Sequence, residues 1–73
     1  MALQKDHVAL AILIGQRIVS FREKLGLTSE QLAVRSDVSK SYMSEIERGR
    51  YLPSLAMLSK ISKVLKVELK DLL

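Results

Sequence analysis

Hydrogen-bonding side chains with a common spacing stand out between residues 39 and 51. Ser41, Ser44, Glu45 and Arg48 follow one another at intervals of three, one and three residues, which places them on one face of a helix. That face would carry donors and acceptors but no large apolar group, as a helix that enters the major groove of DNA requires. The alternative is an ordinary solvated helix face.

Catalytic chemistry is not indicated by the sequence. His7 is the only histidine, and its place near the start of a predicted helix favours packing or surface exposure over metal ligation or base catalysis. The nine serines have no histidine in a suitable arrangement, and the chain has no cysteine. Paired acids, a glycine-rich phosphate loop and a metal-ligand cluster are also not visible. We therefore expect a protein that is not an enzyme, with no metal, cofactor or small-molecule ligand.

Cationic and aromatic residues flank this hydrogen-bonding row. Lys40, Arg48, Arg50 and Tyr51 could contact phosphates, which would orient the helix without reading sequence. Surface solubility is the alternative for each of them. Glu45 is unusual in such a row because a carboxylate repels phosphate. It could accept a hydrogen bond from cytosine N4, or it could disfavour other bases or point away.

Helical periodicity accounts for nearly the whole chain and predicts one all-α domain over residues 1–73. The first helix should run from Asp6 or His7 to Leu25 and end at Gly26. Its inward face is predicted to hold His7, Leu10, Ala11, Ile14, Ile18, Phe21 and Leu25. The chain is too small for a second domain, so the remaining helices must complete this core.

Capping residues divide the rest of the chain into four further helices. Thr28 and Gln31 have the spacing of a capping box, and Ser39 is a good N-cap. These signals predict a second helix from Thr28 to Arg35 or Ser36, a third from Lys40 to about Arg48, and a short turn between them. A fourth helix should begin at Pro53 and Ser54 and carry Leu55, Leu58, Ile61 and Leu65, and a fifth should cover about Leu69 to Leu73.

Charge and hydropathy limit the classes of partner. Twelve lysines and arginines against eight acids give a net charge of +4, which favours a polyanionic partner. The longest apolar run, Val8 to Ile14, has seven residues, whereas a membrane span needs about 20. The N-terminus has no signal-peptide pattern. We therefore expect a cytoplasmic protein with no membrane partner.

Two stretches of sequence resemble a known family. IGQRIVSFREKLGLTSEQLA, at residues 14–33, and SYMSEIERGRYLPSL, at residues 41–55, resemble the lambda-repressor-like helix-turn-helix family, often called Xre. The resemblance extends over residues 14–73 and implies five helices, a recognition helix at the third, and binding to operator DNA as a dimer. Lys40, Ser41 and Glu45 fall where members usually contact base edges.

The sequence departs from the family pattern at four places. Ser29 stands where many members have a glutamine that contacts phosphate, and Asp37 occupies a turn position where glycine is usual. Aspartate tolerates a left-handed conformation better than most residues, so the turn should persist. Lys66 replaces the usual glycine after the fourth helix, and the first helix is about one and a half turns longer than in minimal members.

The candidate DNA contacts extend from the second helix to the loop after the third. The N-terminus of the second helix, at Thr28 and Ser29, offers backbone N–H groups to a phosphate, with a simple helix cap as the alternative. The complete set of candidates is Thr28, Ser29, Ser39, Lys40, Ser41, Tyr42, Ser44, Glu45, Arg48, Arg50 and Tyr51.

Arg22 and Glu47 lie at the edges of otherwise apolar helix faces. Burying either charge alone would cost several kcal/mol, so each needs a partner. They are the natural partners of one another, and the family pattern implies such a pair. We expect it to orient the recognition helix.

A second apolar stripe on the first helix has three possible roles. Val8, Ile12 and Val19, with Gly15 between them, recur at helical spacing about a right angle from the core stripe. They could pack on the C-terminal leucines of the same chain, form a dimer seam or lie on a membrane, although few lysines accompany the stripe. The candidate dimer residues are Val8, Ile12, Val19, Leu69, Leu72 and Leu73.

These observations predict a sequence-specific transcriptional regulator that binds a palindromic operator in double-stranded DNA as a homodimer. Small family members include phage repressors, controller proteins of restriction–modification systems, and antitoxins. The alternatives are therefore an antitoxin that also regulates its own genes, and a protein-interaction module without DNA binding.

Overall fold

The computed structural model describes residues 5–73, which form five helices. They are α1 (Lys5–Lys24), α2 (Ser29–Arg35), α3 (Lys40–Glu47), α4 (Leu55–Leu65) and α5 (Leu69–Leu72). Within this range no residue lies in a strand, and the predicted all-α, five-helix fold is confirmed. None of the described helices is both long and apolar enough to cross a membrane. Residues 1–4, on which the signal-peptide expectation partly rests, lie outside the described range.

Side-chain caps fix where the central helices begin. The Thr28 hydroxyl accepts the Gln31 N–H at 3.0 Å, and the Gln31 side chain accepts the Thr28 N–H at 2.9 Å, so the predicted capping box is confirmed. The Ser39 and Ser54 hydroxyls each accept an N–H three residues later, at 3.0 and 3.1 Å. These bonds satisfy N–H groups that have no partner inside their own helices.

The core lies between α1, α3, α4 and α5, with α2 closing one side. Its fully or almost fully buried members are Ile14, Ile18, Leu32, Ala33, Met43, Ile46, Leu58, Ile61, Leu65 and Leu72. Periodicity predicted the contributions of α1 and α4 at Ile14, Ile18, Leu58 and Ile61. Because every helix contributes to one close-packed cluster, the inner side of α3 is fixed by its core residues Met43 and Ile46.

Three predicted core positions are wrong. Leu10, Leu25 and Leu55 are exposed by 36%, 41% and 64%. Leu25 lies beyond the last residue of α1, where the chain turns at Gly26. Leu55 is the first residue of α4 and is exposed, whereas Pro53, two residues before the helix begins, is buried. Leu10 lies in the N-terminal part of α1, where Val8, Ala9, Ile12 and Leu13 are exposed as well.

Leu72 is a correction of a different kind. It was predicted as a candidate dimer residue, but its side chain is fully buried in the core. α5 folds back on α1 and α4, and Leu72 fills the space between them. A subunit interface therefore cannot use Leu72 without unfolding this corner. The neighbouring Leu73 is exposed by 44%.

Candidate nucleic-acid interface

α2 and α3 are joined by a tight turn at residues 36–39. Asp37 adopts a left-handed conformation with φ of 59°. The Val38 N–H donates to the Ala33 carbonyl at 3.0 Å, and the Asp37 N–H donates to the Val34 carbonyl at 3.2 Å. This is the hydrogen-bond pattern of a Schellman motif. The prediction that aspartate can replace glycine in this turn is confirmed, and α3 leaves the turn packed across α2.

The outward face of α3 carries the polar row that the sequence predicts. Met43 and Ile46 are fully buried on the inner side. On the opposite side Ser41 and Arg48 are exposed, and Ser44 and Glu45 are half-buried. Two buried anchors thus hold a short helix whose outer surface offers hydroxyl, carboxylate and guanidinium groups. Such a surface can exchange hydrogen bonds with base edges.

A partly buried ion pair links α1 to the C-terminal end of α3. Arg22 Nε and Nη2 each donate to a Glu47 carboxylate oxygen at 2.9 Å, and Arg22 Nη1 donates to the Leu27 carbonyl at 3.1 Å. The two side chains are only 15% and 9% exposed. Hydrogen bonding to Glu47 raises the pKa of Arg22. The two-point geometry fixes direction as well as distance, so the pair predicted from the sequence orients α3 relative to α1.

Two glycines allow the same two helices to meet closely. A Cβ at Gly15 would lie 2.6 Å from the Glu47 carbonyl oxygen and 2.7 Å from that of Ile46. A Cβ at Gly49 would lie 2.8 Å from Cα of Ile12. Sequence reasoning missed this contact, because Gly15 was grouped with the apolar stripe. The available signal was a glycine inside a helix, which costs about 1 kcal/mol and calls for a packing reason.

Comparison with known proteins identifies the family. The family model HTH_3, described as helix-turn-helix, matches residues 18–72. The chain belongs to this helix-turn-helix family. The match includes all of α2, α3 and α4 and confirms the resemblance found in the sequence.

The curated relatives of this family member are regulators by name. The chain is 49% identical over 61 residues to the HTH-type transcriptional regulator SlrR of Bacillus subtilis. The aligned region covers 82% of this chain and 40% of SlrR. It is 42% identical over 65 residues to Control protein C.BamHI of Bacillus amyloliquefaciens. Here the aligned region covers 88% of this chain and 80% of C.BamHI. The chain thus spans less than half of SlrR. These relatives agree with the prediction of a regulator that is not an enzyme.

Solved structures of the same family superpose on this fold. The restriction-modification controller protein C.AhdI from Aeromonas hydrophila has a TM-score of 0.85 at 34% identity and covers 89% of this chain and 98% of its own. SinR, described as a master regulator for biofilm formation and crystallised in complex with DNA, has a TM-score of 0.77 at 43% identity. That match covers 81% of this chain and 95% of the SinR chain.

The hydroxyls at the N-termini of α2 and α3 are engaged or buried within the chain. Ser29 Oγ is buried and has no hydrogen-bond partner, so this hydroxyl is turned into the protein and cannot contact DNA. The role predicted for Ser29, a backbone N–H group offered to a phosphate, does not depend on this hydroxyl. The Thr28 and Ser39 hydroxyls already accept helix N–H groups. These residues therefore shape the helix starts before they offer anything to a ligand.

The flanking side chains lie at both ends of α3 and have partners within the chain. Lys40 Nζ lies 3.3 Å from a Glu30 carboxylate oxygen, and Arg50 Nη1 lies 3.5 Å from Glu45 Oε2. The rings of Tyr42 and Tyr51 are tilted and 6.0 Å apart between centroids. Tyr42 also packs against the core. The loop after α3 is thus held beside the outer face of that helix.

Proposed function

We propose that this chain is a sequence-specific transcriptional regulator that binds double-stranded DNA as a homodimer, with α3 in the major groove of each half-site. The observation that carries the proposal is the polar outer face of α3, held by Met43 and Ile46 on its inner side. Ser41 and Glu45 are our candidates for base readout. The relative SinR, whose structure contains DNA, supports the nature of the ligand.

Cationic side chains lie near each end of α3, where they could contact the DNA backbone. Lys40 and Arg50 have largely exposed side chains, and the chain carries a net charge of +4. We assign both residues to phosphate contacts, which set the register of the helix and add affinity that depends on salt. Arg48 and Tyr51 are candidates for the same role.

The N-terminal half of α1 is our candidate for the subunit interface. Val8 and Ile12 are exposed by 40% and 43%, and Leu73 near the other end of the chain by 44%. Gly49 lies against Ile12, so this apolar surface is adjacent to the C-terminal end of α3. A two-fold axis on this side would relate two recognition helices and make the operator palindromic. The subunit extends over 32 × 24 × 19 Å, a size compatible with half-sites about 34 Å apart.

Selection from a random DNA library tests sequence readout directly. We expect an enriched palindromic motif whose half-site centres are about one helical turn apart. Ser41→Ala should change the preferred base at a position within each half-site. Enrichment of no motif would refute specific binding, and a motif without two-fold symmetry would refute the dimeric arrangement.

Salt dependence tests the phosphate contacts. If each subunit contacts three to five phosphates, a dimer should have a log–log salt slope of about −5 to −9. Lys40→Ala should make the slope shallower by about one unit per subunit. Lys70→Ala is a matched control, because Lys70 is also exposed and also paired with a glutamate, at 3.2 Å, but lies on α5. Equal slopes for the two variants would remove Lys40 from the phosphate contacts.

Sedimentation equilibrium tests the dimer. We expect the wild-type chain to have twice the monomer mass of 8.2 kDa at micromolar concentration. Val8→Asp should shift it toward monomer, since each dimer would contain two opposed charges. Val34→Asp is the control, because Val34 is 73% exposed on α2, away from the apolar part of α1. A dimer that tolerates Val8→Asp as well as Val34→Asp would place the interface elsewhere.

A further inference from the structure

The end of α3 brings Arg50 beside Glu45. Gly49 adopts a left-handed conformation with φ of 75°. The Gly49 N–H donates to the Ile46 carbonyl and the Arg50 N–H donates to the Glu45 carbonyl, each at 3.0 Å. This is a Schellman motif, in which the residues at the positions of Arg50 and Glu45 are side-chain neighbours, usually through a hydrophobic contact. Here a cation and a carboxylate occupy the two positions.

The two oxygens of the Glu45 carboxylate have different surroundings. Its Oε2 is buried and accepts no hydrogen bond, and Arg50 Nη1 lies 3.5 Å away. That separation is longer than the roughly 2.7–2.9 Å of a charge-assisted hydrogen bond. The side chain as a whole is 31% exposed, which leaves Oε1 as the accessible oxygen. The carboxylate therefore presents one oxygen outward and lacks one hydrogen bond on the other.

A carboxylate on a DNA-facing helix needs a nearby cation. Phosphates would repel Glu45 on its own, and the repulsion would oppose insertion of α3 into the groove. Arg50 neutralises this charge from the side on which Oε2 is buried. A shift of Arg50 that shortens the 3.5 Å separation by about 0.6–0.8 Å would also supply the hydrogen bond that Oε2 lacks.

We propose that Arg50 is a positioning residue for base readout by Glu45. It holds Oε2, so that Oε1 faces the groove and accepts a hydrogen bond from the N4 amino group of cytosine. This inference rests on the proposed function and assigns Arg50 a role beyond phosphate contact. Arg50 makes the carboxylate an acceptor with a fixed direction, and the base pair selected is C·G.

A second ion pair provides a control within the same chain. Lys40 and Glu30 lie 3.3 Å apart, but both side chains are more than 60% exposed, and no helix-end hydrogen bond links the two residues. An ion pair with two exposed partners has little fixed direction. Arg50 is also 63% exposed, but Glu45 is only 31% exposed, so the half-buried carboxylate and the helix-end hydrogen bond distinguish the Arg50–Glu45 pair. Glu30→Gln, which removes the Lys40–Glu30 pair without replacing a candidate DNA contact, should therefore change affinity for all DNA sites by a similar factor.

The experiment measures base preference at every operator position. Equilibrium binding of purified full chain is compared for the selected motif and for its single-base variants. We expect Glu45→Gln to shift preference at one position from cytosine toward adenine, because an amide can pair with adenine N6 and N7. Arg50→Ala should reduce discrimination at that same position by about tenfold or more. Arg50→Lys should restore part of it, because lysine retains the charge.

The double variant separates positioning from phosphate contact. In the Glu45→Gln background, Arg50→Ala should lower affinity without further change in base ranking. The backbone bond between residues 50 and 45 does not need the arginine side chain, so the variants should fold, and thermal unfolding checks this. Arg50→Ala with the wild-type ranking and uniformly weaker binding would overturn the inference. A wild-type chain that selects no motif would overturn the proposed function itself.

Discussion

Replacement of Gly15 by alanine tests the close contact between α1 and the C-terminal end of α3. The new Cβ would lie 2.6 and 2.7 Å from two carbonyl oxygens at the end of α3, whereas ordinary contacts begin at 3.4 Å. The neighbours are backbone atoms, so no rotamer change relieves the clash, and the helices must separate by roughly 0.8 Å. Overpacking of this kind costs about 1–3 kcal/mol.

Two further effects modify this cost. Alanine gains about 1 kcal/mol over glycine in a helix interior, which opposes the steric cost. Separation of the helices also stretches the 2.9 Å bonds between Arg22 and Glu47, and hydrogen bonds to charged groups contribute about 1.5–3 kcal/mol each. We expect a net loss of about 2 kcal/mol in the free energy of unfolding. For a chain of this size that lowers Tm by about 8–16 °C.

Thermal and urea unfolding, followed by circular dichroism, would measure the effect. Samples need equal protein concentration, because dimerisation makes Tm depend on concentration. Ser20→Ala, at an exposed position of the same helix, is the control and should leave Tm unchanged or slightly higher. Steric overlap in Gly15→Ala would lower Tm, whereas the higher helix propensity of alanine would raise it. A Gly15→Ala chain as stable as the wild type, or more stable, would show that helix propensity dominates and that the close approach is not tight.

Three further substitutions test other features of the fold. Lys66 ends α4 in a left-handed conformation with φ of 61°, so Lys66→Gly should stabilise the chain by about 0.5–1 kcal/mol; a lower Tm would contradict this. Ser36 and Ser62 are both buried, but Ser36 Oγ has no partner, whereas Ser62 Oγ donates to a carbonyl at 2.8 Å. Urea unfolding should therefore find Ser36→Ala nearly neutral and Ser62→Ala about 1 kcal/mol destabilising, and the reverse order would be inconsistent with these bonds. Arg22→Met and Glu47→Leu should each cost about 3 kcal/mol, and the double variant less than their sum; strictly additive losses would argue against a coupled pair.

Local signals were the most reliable guide to this fold. Thr28, Ser39 and Asp37 act on backbone groups within a few residues, so their positions predicted where α2 and α3 begin and how the turn forms. The Arg22–Glu47 pair was also predictable, since a buried charge requires a partner wherever the chain places it.

Predictions that depended on what covers a surface were less successful. Helical periodicity identifies apolar stripes, but it does not say which neighbour covers them. Leu10 was therefore predicted inside, and Leu72 was left open between packing within the chain and a dimer interface. α5 has only four residues, too few for a periodic signal. The direction of the Ser29 hydroxyl and the role of Gly15 depend on the approach of other elements, which a single sequence does not specify.

The seating of α3 on α1 has a consequence for how such a regulator could diverge. The helix that carries the apolar residues Val8 and Ile12 also holds the end of α3, through Gly15 and through Arg22. If the proposed interface is correct, α1 sets the distance between the two-fold axis of the dimer and the bases that α3 contacts. Changes on the outer face of α3 would then alter which bases are read while the spacing of the half-sites stays constant. A new spacing would require a change in α1, so the two properties of an operator could evolve separately.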